Sequence, residues 1–272
     1  RYSVLALIFL LLLIGYAVCW VLLGFYFQSK INEELAALKV RGHHIEYSSL
    51  DFIGFPFTPQ FVFKELKLVK SKNNKFLPEI EVLVLWINPF FSNRFEYDLS
   101  NVKLFRQVSS KKSGKWVFFG EKINGAAKFK NGKIDYLISG IKKFYAQNDN
   151  KNPIFKVREF NFEGINFSSS SPIVAFGIKD IRLTPDIKLV LGQKIEQVKF
   201  EGRILGKIDL PLDRKGVSLW VNKKGAIETK LFFLNYSGLK IRLNGTLSLN
   251  ENLQPMGKFS AEILDAFTAI DT

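Results

Sequence analysis

From Ile227 to Leu249 the chain reads IETKLFFLNYSGLKIRLNGTLSL, and KFSAEI follows at 258–263. Ile227, Thr229, Leu231 and Phe233 share one parity, which Leu239, Ile241, Leu243, Leu247 and Leu249 continue, and then Phe259, Ala261 and Ile263. Glu228, Lys230, Lys240, Arg242, Ser248, Ser260 and Glu262 take the other parity. Successive side chains of a β-strand point to opposite faces. Alternation sustained over several strands therefore describes an antiparallel sheet with one wet face and one apolar face. Ten of the inward residues are large and apolar. At about 2 kcal/mol each, leaving them in water would forfeit roughly 20 kcal/mol, more than the net stability of about 5–15 kcal/mol of a typical domain. Something must cover that face. Leu231, Phe233, Leu239, Ile241 and Leu243 form the candidate patch, either a core or a lipid-facing surface.

The same period extends upstream. Phe95, Tyr97 and Leu99 alternate with Glu96 and Asp98, the pattern of a half-buried strand. Ile80, Val82, Val84 and Trp86 oppose Leu83, Leu85 and Ile87, the pattern of a strand covered on both sides. Asn131-Gly132, Lys224-Gly225 and Ser237-Gly238 are turn signals; Asn244-Gly245 is either a turn or a bulge inside a continuous strand. The spacing predicts an antiparallel meander. After Gly42 only two helices are expected, near Ile141–Gln147 and from Glu262. With so little helix, the sheet closes on itself, packs on a second sheet, or is covered by something else, lipid acyl chains being the natural cover beside a membrane. The fold class is thus mainly β: an N-terminal membrane helix followed by antiparallel sheets forming a curved groove or a sandwich. Lys142–Asn152 is the most polar stretch. It divides the reading into an anchor and juxtamembrane helix over 1–42, an N-terminal β half over 43–147 and a C-terminal β half over 148–272.

Tyr2–Phe27 runs for 26 residues without a charge. At 1.5 Å per residue this is about 39 Å, enough to cross a hydrocarbon core of about 30 Å. A cleaved signal peptide would need a small-x-small site after Val4–Ile14, but Gly15-Tyr16-Ala17-Val18-Cys19-Trp20 follows and the apolar run continues. The segment reads as a retained anchor, with Tyr16, Cys19 and Trp20 as its marked residues and Cys19 a structural thiol. Ile31, Leu35 and Leu38 recur at helical spacing, and Gly42 sits where the helix should stop. Lys30, Lys39 and Arg41 are offset by Glu33 and Glu34, so charge balance does not fix the orientation.

The 272 residues carry 39 Lys+Arg against 25 Asp+Glu, a net charge of +14. Only nine of the basic residues are Arg, and the lysines are spread along the chain rather than gathered on one element. That is a solvated basic face rather than a nucleic-acid site, with anionic lipid headgroups as the alternative partner. A single Cys excludes an intramolecular disulfide, and two histidines, the adjacent His43 and His44, cannot converge easily on one ion. There is no Gly-x-Ser-x-Gly elbow, phosphate loop or dinucleotide fingerprint; Gly202 and Gly206 are a chance pair in a strand-like run. No catalytic, cofactor-binding or metal-ligating residue is assigned, and a non-enzymatic role is expected.

Tyr47-Ser48-Ser49-Leu50, Gly54-Phe55-Pro56-Phe57, Phe61-Val62-Phe63 and Leu66-Lys67-Leu68 follow an apolar segment containing Gly15-Tyr16 and Trp20. Near the other end stand Phe200-Glu201-Gly202-Arg203, Asn244-Gly245-Thr246-Leu247-Ser248-Leu249 and Leu253-Gln254-Pro255-Met256-Gly257-Lys258-Phe259. Together these resemble a family of alphaproteobacterial envelope proteins known only as a domain of unknown function, number 2125. The second group also resembles the closing strands of AsmA-like β-groove lipid carriers. The resemblance implies single-pass anchoring in the bacterial inner membrane with the bulk of the chain in the periplasm, and it carries no catalytic residues. Gly54-Phe55-Pro56-Phe57 itself reads as a tight turn between strands: Gly admits positive φ, Pro fixes φ, and the aromatics plug the sheet end. Asp271-Thr272 falls inside an apparent helix, so the natural chain is expected to continue. The expected function is binding or conveying lipids, or supporting the envelope, through an apolar sheet face. The alternative is an accessory subunit of an inner-membrane complex, for which Gly15 and Cys19 offer a small-residue helix contact.

Overall fold

The computed structural model describes residues 2–70, 76–87, 93–106, 117–147, 153–184, 189, 191–206 and 214–264. Helix α1 (Tyr2–Val40) comes first. Gly42, at φ +87°, stops it where the sequence predicts. The strands β1 (His44–Glu46), β2 (Ser49–Ile53), β3 (Gln60–Lys70), β4 (Phe76–Ile87), β5 (Arg94–Arg106), β6 (Val117–Lys130) and β7 (Lys133–Gln147) follow. Then come β8 (Pro153–Ile165), β9 (Ile173–Leu183), β10 (Lys194–Leu205), α2 (Arg214–Asn222), β11 (Ala226–Tyr236), β12 (Leu239–Leu249) and β13 (Pro255–Leu264). All 13 strands belong to one sheet, and from β3 onward each strand pairs antiparallel with the next in the chain. β1 and β2 both pair with β3.

The fold is the mainly β meander that the alternation predicts, built as a single layer and not as two packed sheets. Its core is correspondingly thin. Phe61, Val62, Phe63, Ala126, Ala127, Ala146, Val157 and Trp220 are the buried apolar residues. The chain exposes 18741 Å², against about 12,000 Å² for a compact globular protein of its mass. Asn131 and Gly132, at φ +52° and +72°, form the expected β6–β7 hairpin, and Ser237 and Gly238, at +48° and +85°, the β11–β12 hairpin. Asn244-Gly245 lies inside β12, whose pairing with β13 continues through it.

Three local readings change. Ile141–Gln147 is the end of β7 and not a helix: its residues pair with both β6 and β8, so two neighbouring strands override the local preference. The helix expected from Glu262 is β13 as far as Leu264, and the residues beyond lie outside those described. Lys224-Gly225 ends α2 instead of joining two strands, the Gly225 amide donating to the Trp220 carbonyl at 2.9 Å. The sheet also runs unbroken through the expected boundary between β halves, since β7 pairs with β8 along its length; 148–152 lie outside the described residues.

One feature of the strands has no counterpart in the sequence reading. Glu65, Asn101, Lys143 and Asp180, on alternate strands β3, β5, β7 and β9, adopt φ of +50° to +53°. They lie on one transverse line with Glu81, Glu121, Arg158 and Glu196 of the intervening strands, where the paired register passes from Lys64–Val82 to Leu66–Ile80 and onward strand by strand. Left-handed backbone is costly for non-glycine residues, so its recurrence at matched positions marks a crease across the sheet. Polar contacts hold it. Asn101 donates to Glu81 at 2.5 Å, Lys143 pairs with Glu121 at 2.8 Å, and Arg158 pairs with Asp180 at 2.9 Å.

Candidate functional site

The paired registers carry one side-chain row across the sheet without a polar interruption. It starts at Leu50, Phe63, Leu83 and Leu99 on β2 to β5. Ile123, Ile141, Phe160 and Ile178 continue it on β6 to β9. Val198, Leu234, Ile241 and Ile263 complete it on β10 to β13. Directly paired residues point to the same side, so these side chains form one track. Eleven strand spacings of about 4.8 Å make it roughly 50 Å long. A parallel row beside it holds four consecutive phenylalanines, Phe162, Phe176, Phe200 and Phe232 on β8 to β11. The Phe176 and Phe200 rings stack with centroids 5.2 Å apart. Between β4 and β12 the side chains of the track are half-buried, and among the described residues no second sheet lies over them.

Helices cover this face at two places. At the β2–β3 edge Phe27 of α1 lies 6.1 Å from Phe61, Trp20 lies 5.3 Å from Phe52, and Gly24 admits Phe52 so closely that a Cβ would stand 2.5 Å from its ring. Trp20, Gly24, Phe27, Ile31, Leu35 and Leu38 recur at helical spacing and form one seam, none of them exposed. Near the ends of β10 and β11, Trp220 of α2 lies over Gly206 and Gly225 and donates from Nε1 to the Leu205 carbonyl at 2.9 Å. Elsewhere aromatic rings lie over glycines on the apolar face: Tyr97 over Gly125, Phe167 over Gly164, Phe200 over Gly202.

The opposite face is polar from β5 onward, with Asp98, Asn124, Asn161, Lys199 and Arg242 in one paired row. Ion pairs cross it, Lys122 to Asp98 at 3.1 Å and Lys179 to Glu159 at 3.0 Å. A shallow cleft of about 680 Å³ on this side includes Glu96, Asp98, Asn124, Asn161 and Glu163. The Lys179 hydrogen bond, with a second from Asn161, holds the Glu159 carboxyl below its usual range. A depressed carboxylate stabilises the fold above its unfolded pKa and loses that contribution as pH falls through the folded value. Glu159→Gln is accordingly expected to cost less than about 1 kcal/mol at pH 7, the size of a largely exposed pair, and less at pH 3 than at pH 7. Urea unfolding of both proteins at the two pH values measures this.

The register divides the candidate patch. Leu239, Ile241 and Leu243 lie on the apolar face, Ile241 within the track. Leu231 pairs with Glu201, and Phe233 with Lys199 and Arg242, so these two belong to the polar face. Their places beside Leu243 and Ile241 are taken by Phe232 and Leu234. The cause is a bulge: the pairing of β11 shifts between Thr229 and Phe232, and one extra residue reverses the parity of all that follow. Gly54-Phe55-Pro56-Phe57 forms the turn between β2 and β3, with Gly54 at φ +99°. Tyr16 and Trp20 meet this turn, their rings 6.0 Å and 5.8 Å from Phe55, and Cys19 is exposed on α1. Among the described residues no three His, Cys, Asp or Glu side chains group as metal ligands would.

One helix, then, is long and apolar enough to cross a membrane, and it is joined to an open amphipathic sheet. Residues 169–272 match the model of a bacterial protein family described as "Uncharacterized protein conserved in bacteria (DUF2125)". The match takes in β9 to β13 and bears out the family resemblance read from Phe200–Arg203 and Asn244–Phe259; alphaproteobacterial origin and AsmA-like character are not part of it. No curated protein and no solved structure matches the chain.

Proposed function

We propose that the chain is a single-pass inner-membrane protein whose sheet lies in the periplasm and holds lipid acyl chains along its apolar face. The observation that carries this reading is the unbroken apolar row over β2–β13 on a sheet that, among the described residues, has no second sheet packed on it. Water against such a row is unfavourable at about 25 cal/mol per Å², and acyl chains supply a cover that requires no hydrogen-bonding partner. The row starts at α1, so a lipid leaving the bilayer meets the track at its first strand. The role requires no catalysis, cofactor or nucleic acid. Gentle detergent extraction of the full chain followed by native mass spectrometry tests it: bound phospholipid is expected, and a lipid-free chain would overturn it.

A second reading, as a subunit of a larger inner-membrane assembly, is favoured by one observation. Among the described residues β13 pairs only on its β12 side and leaves Phe259 and Ile263 47% and 61% exposed. Stoichiometric protein partners in the same spectra would support that reading.

A further inference from the structure

The turn between β2 and β3 presents apolar side chains to its surroundings at the level of the apolar helix. Phe57 is 85% exposed, Phe55 56% and Ile53 47%. From Phe52 to Phe63 there is no charged residue, and the adjacent Asp51 and Lys64 neutralise one another at 3.4 Å. The backbone suits a low-dielectric setting. Pro56 and Pro59 carry no N–H, the Thr58 amide donates to the Gly54 carbonyl at 3.0 Å, and the Tyr16 hydroxyl donates to the Pro56 carbonyl.

Contacts with α1 fix the depth of this turn. Phe61 lies at the level of Phe27, Phe52 at Trp20, and Phe55 at Trp20 and Tyr16, so the β2–β3 edge follows the helix toward its N-terminus. A hydrocarbon core takes about 20 helical residues. Wherever such a slab falls within Tyr2–Phe27, it ends no earlier than Val21, and Tyr16 lies at least about 8 Å inside it at 1.5 Å per residue. With the boundary near Val21, the turn enters the membrane while Asp51 and Lys64 stay outside. We infer that the β2–β3 turn inserts into the same leaflet as α1, as a second apolar foothold that fixes the start of the acyl-chain track against the bilayer. The inference rests on the reading of α1 as membrane-spanning.

Spin labels in the full chain, reconstituted into phosphatidylethanolamine–phosphatidylglycerol vesicles in a Cys19→Ser background, test it. Phe57→Cys samples the turn, Ala17→Cys the helix, and Ser237→Cys the β11–β12 turn at the opposite end of the sheet. Phe57 is exposed enough that its replacement does not disturb packing. Relative accessibility to oxygen and to a polar nickel chelate is expected to place the Phe57 label about 5–10 Å below the hydrocarbon boundary. The Ala17 label should also read as hydrocarbon and the Ser237 label as water. An aqueous Phe57 with a hydrocarbon Ala17 would overturn the inference and leave the anchor standing. Aqueous readings at both would overturn the anchor, and the inference with it.

Discussion

Ile178→Asp is expected to leave the chain folded and to empty it of phospholipid. Ile178 stands near the middle of the apolar track, between Phe160 on β8 and Val198 on β10. It is half-buried, with neighbours beside it and no second sheet above it among the described residues. A carboxylate there remains hydrated from the open face, so the cost to folding is modest, about 1–2 kcal/mol. Under an acyl chain the same carboxylate would be desolvated without a partner, which costs several kcal/mol. At 1.4 kcal/mol per factor of ten, the lipid carried per chain is expected to fall at least about tenfold. Phosphate analysis of purified protein measures it, with circular dichroism reporting the sheet. Normal folding with unchanged lipid content would remove the lipid reading. Phe233→Asp supplies the contrast. Its new carboxylate would sit between Lys199 and Arg242 on the polar face, so lipid content should hold.

The second large effect is expected at Gly125, and only there of two glycines on neighbouring rows. Gly125→Ala should lower stability by about 3 kcal/mol, whereas Gly177→Ala should stay within about 0.5 kcal/mol. A Cβ on Gly125 would penetrate the Ile138 carbonyl oxygen and lie 2.5 Å from the Tyr97 hydroxyl, whose ring is laid across the glycine. The carbonyl belongs to the paired backbone of β7 and cannot retreat without breaking the ladder, and Tyr97 would lose its 3.2 Å hydrogen bond to the same oxygen. At Gly177 a Cβ meets nothing within 4 Å. Urea midpoints of the two variants decide it. Equal midpoints would mean that close packing at Gly125 contributes nothing, since the unfolded-chain effect of Gly→Ala is a small gain at either site.

Much of this architecture is legible in the residues because β-structure writes itself at period two. Leu239–Leu249 and Phe259–Ile263 keep strict parity, and the structure gives them the predicted faces. Parity fails where one residue is inserted. Nothing in Lys230-Leu231-Phe232-Phe233 distinguishes a bulged strand from a regular one, because four residues that fit a buried face allow either register. The crease was hidden for another reason. Glu65 and Lys143 lack the Gly, Asn or Asp signature of left-handed backbone, and the signal resides in the alignment across strands, which one strand cannot reveal. α2 escaped because Arg214–Asn222 is short and, among its described residues, Trp220 is the buried one. The single layer could not be read at all, since alternation reports that a face is apolar and not what lies over it.

The order of strands in the sheet is, from β3 on, the order of strands in the chain. An N-terminal anchor and a meander together define a direction of assembly. Each new strand finds its partner in the strand just before it, with α2 carried in the link between β10 and β11, so no step waits for a distant sequence. The sheet can grow outward from α1 as a zip, one strand at a time, while the remainder of the chain is still emerging. At each stage one raw edge travels ahead, now β7, now β10, and the next strand covers it. The apolar track lengthens by one side chain with every step, so a partly emerged chain already carries a portion of it.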